Sequence, residues 1–327
     1  MKLNKIWAVW LLALMLAVTA GCGNAEKKEG TPASEPAKQE AKAPEQAALH
    51  TTFPLKLKDA TGEEVTFDKA PTKIVSLAPS ETEALFAIGL DKEIVGVSDF
   101  DDYPAAAKSK PKMGGMKVNA ETIVAAQPDV VFVAGLTDAE TIKTLRGLKI
   151  KVFQFNPKTI DAVIQDIETY GQITDHQTEA KKVTDQMKKE LQQVTDAVKS
   201  VTNEQKKKVY IEFSPGYTVG KGEFMDEMIS LSGGVNVAGD LTGWQQINEE
   251  NIIKANPDVI LYAKSVVDEN NKTLADIIKA RSGWDKITAI KDNRIVGLDD
   301  NLLSRPGPRV TQGLIEVAKA IYPDLVK

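Results

Sequence analysis

What this chain lacks narrows its chemistry before anything it contains. Cysteine occurs once, at Cys22, and histidine twice, at His50 and His176. A single cysteine cannot close an internal disulfide. A zinc centre takes three or four nitrogen or sulfur ligands, and this chain clusters none. His50 falls in a polar N-terminal stretch and His176 at a helix start, where solvation rather than ligation is the expectation. No Gly-x-Ser-x-Gly elbow occurs. Gly216-Tyr-Thr-Val-Gly220-Lys221-Gly222 imitates a phosphate loop, but three residues separate its glycines where four are needed. Gly222 also stands where a hydroxyl would bind magnesium. The net charge of −5 gives no basic surface for nucleic acid. After the N-terminal leader no apolar run is long enough to cross a bilayer. These absences leave neither a nucleophile with its base nor a metal cluster, so an enzyme is not expected.

The N-terminus itself is distinctive. Lys2 and Lys5 precede the apolar run 6–18, and Thr19-Ala20-Gly21 is a small-residue exit, so residues 1–21 read as a secretory signal. Val18-Thr-Ala-Gly-Cys22-Gly is similar to a bacterial lipobox, with threonine where leucine is usual. Cys22 is then expected to carry the lipid, anchoring the chain to the outer face of the cytoplasmic membrane through acyl chains alone. Residues 23–52 are rich in Ala, Glu, Lys and Pro and too poor in large apolar groups to offset chain entropy, so 22–52 reads as a flexible tether.

The remainder contains a segment that occurs twice. Residues 119–131 read NAETIVAAQPDVV and residues 248–260 read NEENIIKANPDVI, 129 positions apart without a gap. One repetition at domain spacing implies two similar lobes, with a cleft between them suited to a small ligand. Short β-rich runs at 73–78, 93–97, 130–133, 149–153, 208–213 and 294–298 alternate with helical periodicity, which argues for parallel α/β sheets. Ser80 is the expected N-cap of the first helix, with Glu83 completing a capping box, so Glu81 and Glu83 read as capping and solvated groups. Asp175 is expected to cap a long helix over 176–201, which has no Gly or Pro. Such a helix is too long to connect strands within one small sheet and reads as a rigid strut between lobes. The expected organisation is an N-terminal α/β lobe over 53–174, an interlobe helix over 175–203 and a C-terminal α/β lobe over 204–327.

Loop residues that could line the cleft are Phe100 and Tyr103 in the first lobe and Tyr217, Trp244 and Arg305 in the second. Aromatic faces stack on flat or apolar ligands, and arginine supplies five fixed donors. Glu121 and Glu250 stand in the first turn after each repeated asparagine. There they serve the helix dipole or form a matched pair of acidic knobs, one per lobe.

The ordered set Lys73-Ile-Val-Ser-Leu-Ala-Pro79, Thr82-Glu-Ala-Leu-Phe-Ala-Ile-Gly89, Asp102-Tyr-Pro104, Asn119-x-Glu121, Pro128-Asp129, Ser282-Gly-Trp-Asp285 and Ser304-Arg-Pro-Gly-Pro-Arg309 resembles one family. It is that of the substrate-binding lipoproteins of ABC importers for cobalamin, ferric siderophores and haem. The resemblance runs from about residue 53 to the last helix and is nearest to the cobalamin branch. It implies a monomeric, non-enzymatic receptor without a cofactor, whose cargo is a small-molecule metal chelate and whose partner is an ABC permease dimer with its ATPase subunits. It implies that Glu121 and Glu250 dock onto that permease, and that Phe100, Tyr217, Trp244, Asn301 and Arg305 face the ligand, with Asp300 an alternative to Asn301. Gly115 and Ala134 stand where a cobalamin-binding member carries tryptophans, so this cleft is less aromatic. A corrinoid is the first expectation and a ferric siderophore the second, with Arg305, Arg309 and Lys221 as its cations. Haem is the third, with Met113, Met116 or Met225 as axial ligand.

Overall fold

The computed structural model describes residues 49–326. The signal segment, Cys22 and most of the tether lie outside the described residues. The described chain opens with a hairpin that periodicity did not disclose, β1 (Leu55–Lys58) against β2 (Glu64–Phe67). There follow β3 (Ile74–Ser76), α1 (Pro79–Ala87), β4 (Ile94–Val97), α2 (Ala120–Ala126), β5 (Val130–Val133), α3 (Ala139–Gly147) and β6 (Val152–Gln154). These strands form a parallel sheet in the order β4-β3-β5-β6. Two helices come next, α4 (Ile160–Thr174) and α5 (Gln177–Val198). The second half contains β7 (Lys208–Glu212), β8 (Tyr217–Val219), α6 (Phe224–Leu231), β9 (Val235–Asn236), β10 (Trp244–Gln246), α7 (Glu249–Ala255) and β11 (Val259–Ala263). It ends with α8 (Leu274–Ala280), α9 (Thr288–Lys291), β12 (Ile295–Leu298), α10 (Asp300–Ser304) and α11 (Val310–Ile321). Its sheet is also parallel, in the order β12-β11-β7-β9, while β8 and β10 make a separate antiparallel ribbon. Two lobes with separate sheets are thus joined through the helical pair.

Strands covered on both faces explain the unbroken apolar runs. In β5, Val130 and Phe132 face the core shared with α4, while Val131 and Val133 face a second cluster built with Ile123, Ile142 and Leu145. The repeated segment does the same work in each lobe. Asn119 accepts a hydrogen bond from the Thr122 N–H, and Asn248 one from the Asn251 N–H, so both cap their helices. Gln127 and Asn256 end those helices in the left-handed region. The aspartate that follows then fixes the neighbouring strand. Asp129 accepts from the N–H groups of Thr72 and Lys73, and Asp258 accepts from that of Lys208. The Pro-Asp pair is therefore a strand-register device, duplicated with its lobe.

The long helix α5 runs 22 residues, about 33 Å at 1.5 Å per residue. Its buried face, Ala180, Thr184, Met187, Val194 and Val198, packs on α4 and on α11, with further contacts to α1. Near its C-terminal end, Val198 packs beside Gly233 of the second lobe, where an added Cβ would lie 3.3 Å from the Val198 side chain. Thr311 of α11 donates its hydroxyl to Glu190 of α5. On the other side of α4, Phe155 and Tyr170 lie with ring centroids 4.1 Å apart, next to Phe132 and Phe153. Three expectations are corrected here. Asp175 does not cap α5; it ends α4 in the left-handed region, and His176 takes the N-cap position without capping the helix, its Nδ1 lying 2.8 Å from the Thr174 carbonyl oxygen. The Asp175 carboxylate instead accepts from the Thr51 N–H at 2.6 Å and pairs with His50 at 3.2 Å. The last residues of the expected tether, 49–52, are thereby fixed to the turn between α4 and α5. The first helix starts at Pro79, one residue before the expected cap, and no side chain caps it.

Candidate ligand cleft

A cleft of about 430 Å³ opens between the lobes, within the range of about 300–1,000 Å³ common for small-molecule sites. Its first wall is formed by chain leaving the C-terminal ends of β3, β5 and β6, at Leu77–Glu81, Ala134–Asp138 and Phe155–Lys158. That is where open parallel sheets place their ligands. The second lobe contributes Glu223, Phe224, Trp244, Ser304, Arg305 and Pro306. Gly135 is required here, because a Cβ would lie 2.0 Å from Asn156 Oδ1.

The walls are mostly apolar. Phe100, Met116 and Leu136 of the first lobe are 52%, 85% and 87% exposed, which leaves large apolar side chains at the rim with nothing covering them. Opposite, Trp244 is held edge-on by Phe213 and Phe224, at centroid distances of 5.0 and 6.1 Å. Trp244 was expected in a polar loop, but it begins β10, and its pairing with Val219 fixes the indole more firmly than a loop would.

The cations in the walls are already matched across the lobes. Lys158 lies 2.9 and 3.0 Å from the two oxygens of Glu223. Arg305 donates to Glu83 at 2.9 Å and to Asp102 at 2.8 Å. Arg309 donates to both Glu83 oxygens, at 2.8 and 2.7 Å, and lies 3.7 Å over the Tyr103 ring. Glu83 is therefore not a capping or solvated group. It is buried, and it clasps the second lobe through two arginines. Burial works against charge on Asp102, yet the Arg305 hydrogen bond and charge hold its carboxyl below the usual range. The hydrogen bond from Arg309 to Glu83 raises the pKa of that guanidinium despite burial. Glu81 is buried too, and its carboxyl is pushed up to about 8, chiefly by burial.

Of the residues expected to face ligand, Phe100, Trp244 and Arg305 come together in the walls. Tyr103, Tyr217 and Asn301 do not line the cleft. Tyr103 is occupied beneath Arg309, Tyr217 pairs with Gln246 in the ribbon with its ring nearest Phe213, and the Asn301 N–H is held by Asp299. Asp300 accepts from the Ser265 N–H and is likewise outside the walls. Gly115 and Ala134 do line the cleft. Leu136 is a wall residue that periodicity could not find, because it sits in a loop, and its adjacency to Gly135 was the available signal. Met116, expected only as an axial ligand, is a wall residue as well. Of the three methionines, Met113 and Met225 are each 2% exposed within the lobes, and Met116 alone opens to the cleft. Among the described residues, no cluster of three or more His, Cys, Asp or Glu side chains is placed to hold a metal ion. No described helix is long and apolar enough to cross a membrane.

Glu121 and Glu250 are exposed in the first turns of α2 and α7. Trp244 lies three residues ahead of Ile247, whose N–H donates to Gly216, and α7 follows at once. Glu212 accepts from the Gly216 N–H and from Arg281 at 2.6 Å twice, and Arg281 reaches Glu249 beside Glu250 at 3.3 Å. The ribbon that positions Trp244 is thus tied to the helix bearing Glu250.

Comparison with known proteins agrees with this geometry. A family model described as periplasmic binding protein matches residues 74–302. The whole chain aligns at 36% identity with 99% of an uncharacterized ABC transporter substrate-binding lipoprotein of Bacillus subtilis. A cobalamin-binding protein of Halobacterium salinarum is 30% identical over 86% of this chain and 79% of its own. A crystal structure of a possible iron-binding, periplasmic solute-binding protein of Staphylococcus epidermidis superposes with a TM-score of 0.66 at 33% identity, covering 78% of this chain and all of that one. With two lobes, a cleft at the strand ends and a match across most of the chain, this protein belongs to the periplasmic binding protein family.

Proposed function

We propose that this chain is the substrate-binding lipoprotein of an ABC importer and that it carries a corrinoid in the interlobe cleft. The observation that carries the ligand is the state of its charges. Both cations in the walls, Lys158 and Arg305, are paired with carboxylates, and the remaining surface is mostly apolar, with Glu81, Asp138 and Asn156 among its polar groups. An anionic ferric chelate would have to compete with those pairs, and opening the buried Arg305–Glu83 pair is expensive, whereas the half-exposed Lys158 is held less strongly. A corrin presents a broad apolar face and a fringe of neutral amides. It rests on Trp244 and Phe100 without displacing either pair, with Met116 and Leu136 closing over its edge. The cobalamin-binding relative supports the same class.

A ferric siderophore or haem is the second reading. The possible iron-binding relative favours it, and Met116 is the thioether that could reach a haem iron. Delivery is assigned to Glu121 and Glu250 as the two contacts with the permease, one on each lobe. Anchoring is assigned to Cys22 on the outer face of the cytoplasmic membrane, and the working form is a monomer. The lobes are bounded at 53–174 and 204–327 about the helix.

Titration of tryptophan fluorescence tests the ligand. Cyanocobalamin should quench with saturation and remain unchanged afterwards. Trp244→Ala, which removes the reporter and is therefore measured by equilibrium dialysis of cyanocobalamin, should bind about tenfold more weakly, equivalent to about 1.4 kcal/mol. Saturable quenching by a ferric hydroxamate or hemin, with cyanocobalamin silent, would replace the corrinoid reading with the second.

A further inference from the structure

Behind the cleft floor lies a second, much smaller chamber. Ser80, Glu81, Phe155, Pro157 and Pro306 line both spaces. Half-buried Asp166 and buried Tyr170 of α4 line its other side, and Gly307 of the second lobe packs over Ser80, where a Cβ would come within 3.1 Å of the Ser80 carbonyl oxygen. The chamber volume is about 10 Å³, just the room one water molecule needs by the same measure.

The oxygens around it are under-satisfied. Tyr170 is 3% exposed, and its hydroxyl has no hydrogen-bond partner among the described residues. The same holds for Asp166 Oδ2. Glu81 is 4% exposed and receives the Ser80 hydroxyl at 2.7 Å. No lysine or arginine is in the chamber walls. Two carboxyl groups and a phenol in an apolar setting need either a cation or a proton. A hard cation takes six or more oxygens, and the other wall residues here, Ala84, Phe155, Pro157, Val163, Ile167 and Pro306, present mainly carbon. The proton is the occupant that fits.

We propose that this chamber is a proton-binding site, in which a proton taken from solvent resides on Glu81, one buried water links it to Asp166 and Tyr170, and its occupancy tunes how tightly the cleft holds its ligand. Burial raises the Glu81 carboxyl to about 8 against the pull of the Ser80 hydrogen bond, with Asp101 and Asp166 adding to the rise. Burial alone takes Asp166 up to about 7. Burial also moves the Tyr170 phenol well above its ordinary value, so it stays a donor. The charged neighbours on other elements do not reverse this. Asp101, in the loop after β4, is itself raised by burial, and Lys112 reaches only backbone carbonyls there. Lys158 is held by Glu223, and Arg305 and Arg309 are turned to Glu83.

The link to the ligand follows because Ser80 and Glu81 also form part of the cleft floor, and it rests on the reading of the cleft as the binding site. A ligand covering that floor removes the last water from the carboxyl side and favours the neutral form further. Binding then takes up a proton, and affinity falls as pH rises through the range where the empty protein loses that proton. One proton gives a limit of about tenfold in Kd per pH unit.

Two measurements on the purified chain test the proposal, and the first needs no ligand. Infrared difference spectra between about pH 6 and about pH 10 should contain the carbonyl band of a protonated carboxyl. Asp166 titrates in the same window, so Glu81→Gln should remove one component of that band and Asp166→Asn the other. An identical band in wild type and in both variants overturns the site. In the second measurement, cyanocobalamin affinity of the wild type should weaken about tenfold from about pH 7 to about pH 9, and the pH slope should flatten in Glu81→Gln. A flat wild-type profile with bound cyanocobalamin overturns the coupling. A Glu81-dependent band in a protein that binds no chelate supports the proton site and sinks the ligand reading instead.

Discussion

Replacing Glu83 with alanine should loosen the seam between the lobes more than any exposed ion-pair change. Glu83 has a side chain 1% exposed and accepts three charge-assisted hydrogen bonds, from Arg309 at 2.8 and 2.7 Å and from Arg305 at 2.9 Å. Removing one partner of a buried ion pair costs about 3–5 kcal/mol. Two features place this site at the lower end. Arg305 keeps Asp102 at 2.8 Å, and Arg309 keeps the Tyr103 ring at 3.7 Å, so neither cation is stranded. We therefore expect a loss of about 3 kcal/mol, which for a folded region of this size is roughly 6–12 °C in Tm. Urea denaturation followed by tryptophan fluorescence, with Lys56→Ala as control, measures it. Lys56 and Glu64 are 62% and 53% exposed, so that pair should contribute only about 0–1 kcal/mol. The order Glu83→Ala, then Arg309→Ala, then Arg305→Ala, is expected, because they remove three, two and one of the bonds to Glu83. A Glu83→Ala midpoint within error of Lys56→Ala would refute the clasp.

Three further outcomes are expected. Glu121→Ala combined with Glu250→Ala should leave chelate affinity unchanged while abolishing uptake by cells; lost affinity in the purified protein would move those carboxylates into the pocket. Stability should fall with rising pH on account of Glu81. Its folded value of about 8 lies above its ordinary 4.5, so its contribution is complete below about 4.5 and is lost as pH rises through about 8. Denaturation midpoints of wild type and Glu81→Gln should therefore converge in acid and separate in base, with the variant the more stable. Small-angle scattering should detect little contraction on ligand binding, because α5 is continuous and Lys158, Glu83, Arg305 and Arg309 already bridge the lobes; a decrease of several ångströms in the radius of gyration would rule out the strut.

The reading of the sequence succeeded where the signal was local. The helix starts after Asn119 and Asn248 were legible because a helix start depends on the few residues around it. The strands at 130–133 and 208–212 were legible because burial on both faces demands uninterrupted apolar residues. It failed where the partner was distant. Glu81 and Glu83 fit a capping pattern by spacing alone, yet Glu83 meets arginines 222 and 226 positions away. Asp175 fits the cap of α5 equally well, but the backbone turns left-handed there and Thr51 takes the carboxylate. Trp244 was singled out as a ligand residue, whereas the ribbon that holds it was invisible, since three-residue strands carry no period.

The order of residues by itself settled that there are two related α/β lobes, where their repeated helices start and stop, and that a rod separates the two halves of the chain. These follow from interactions within a turn or a strand. Which loops face each other across the cleft, which carboxylates are buried at its floor and which cations are already paired there were decided only when the lobes packed. Those contacts join residues hundreds of positions apart, and nothing in a short stretch of sequence distinguishes a charge that will meet water from one that will meet the opposite lobe.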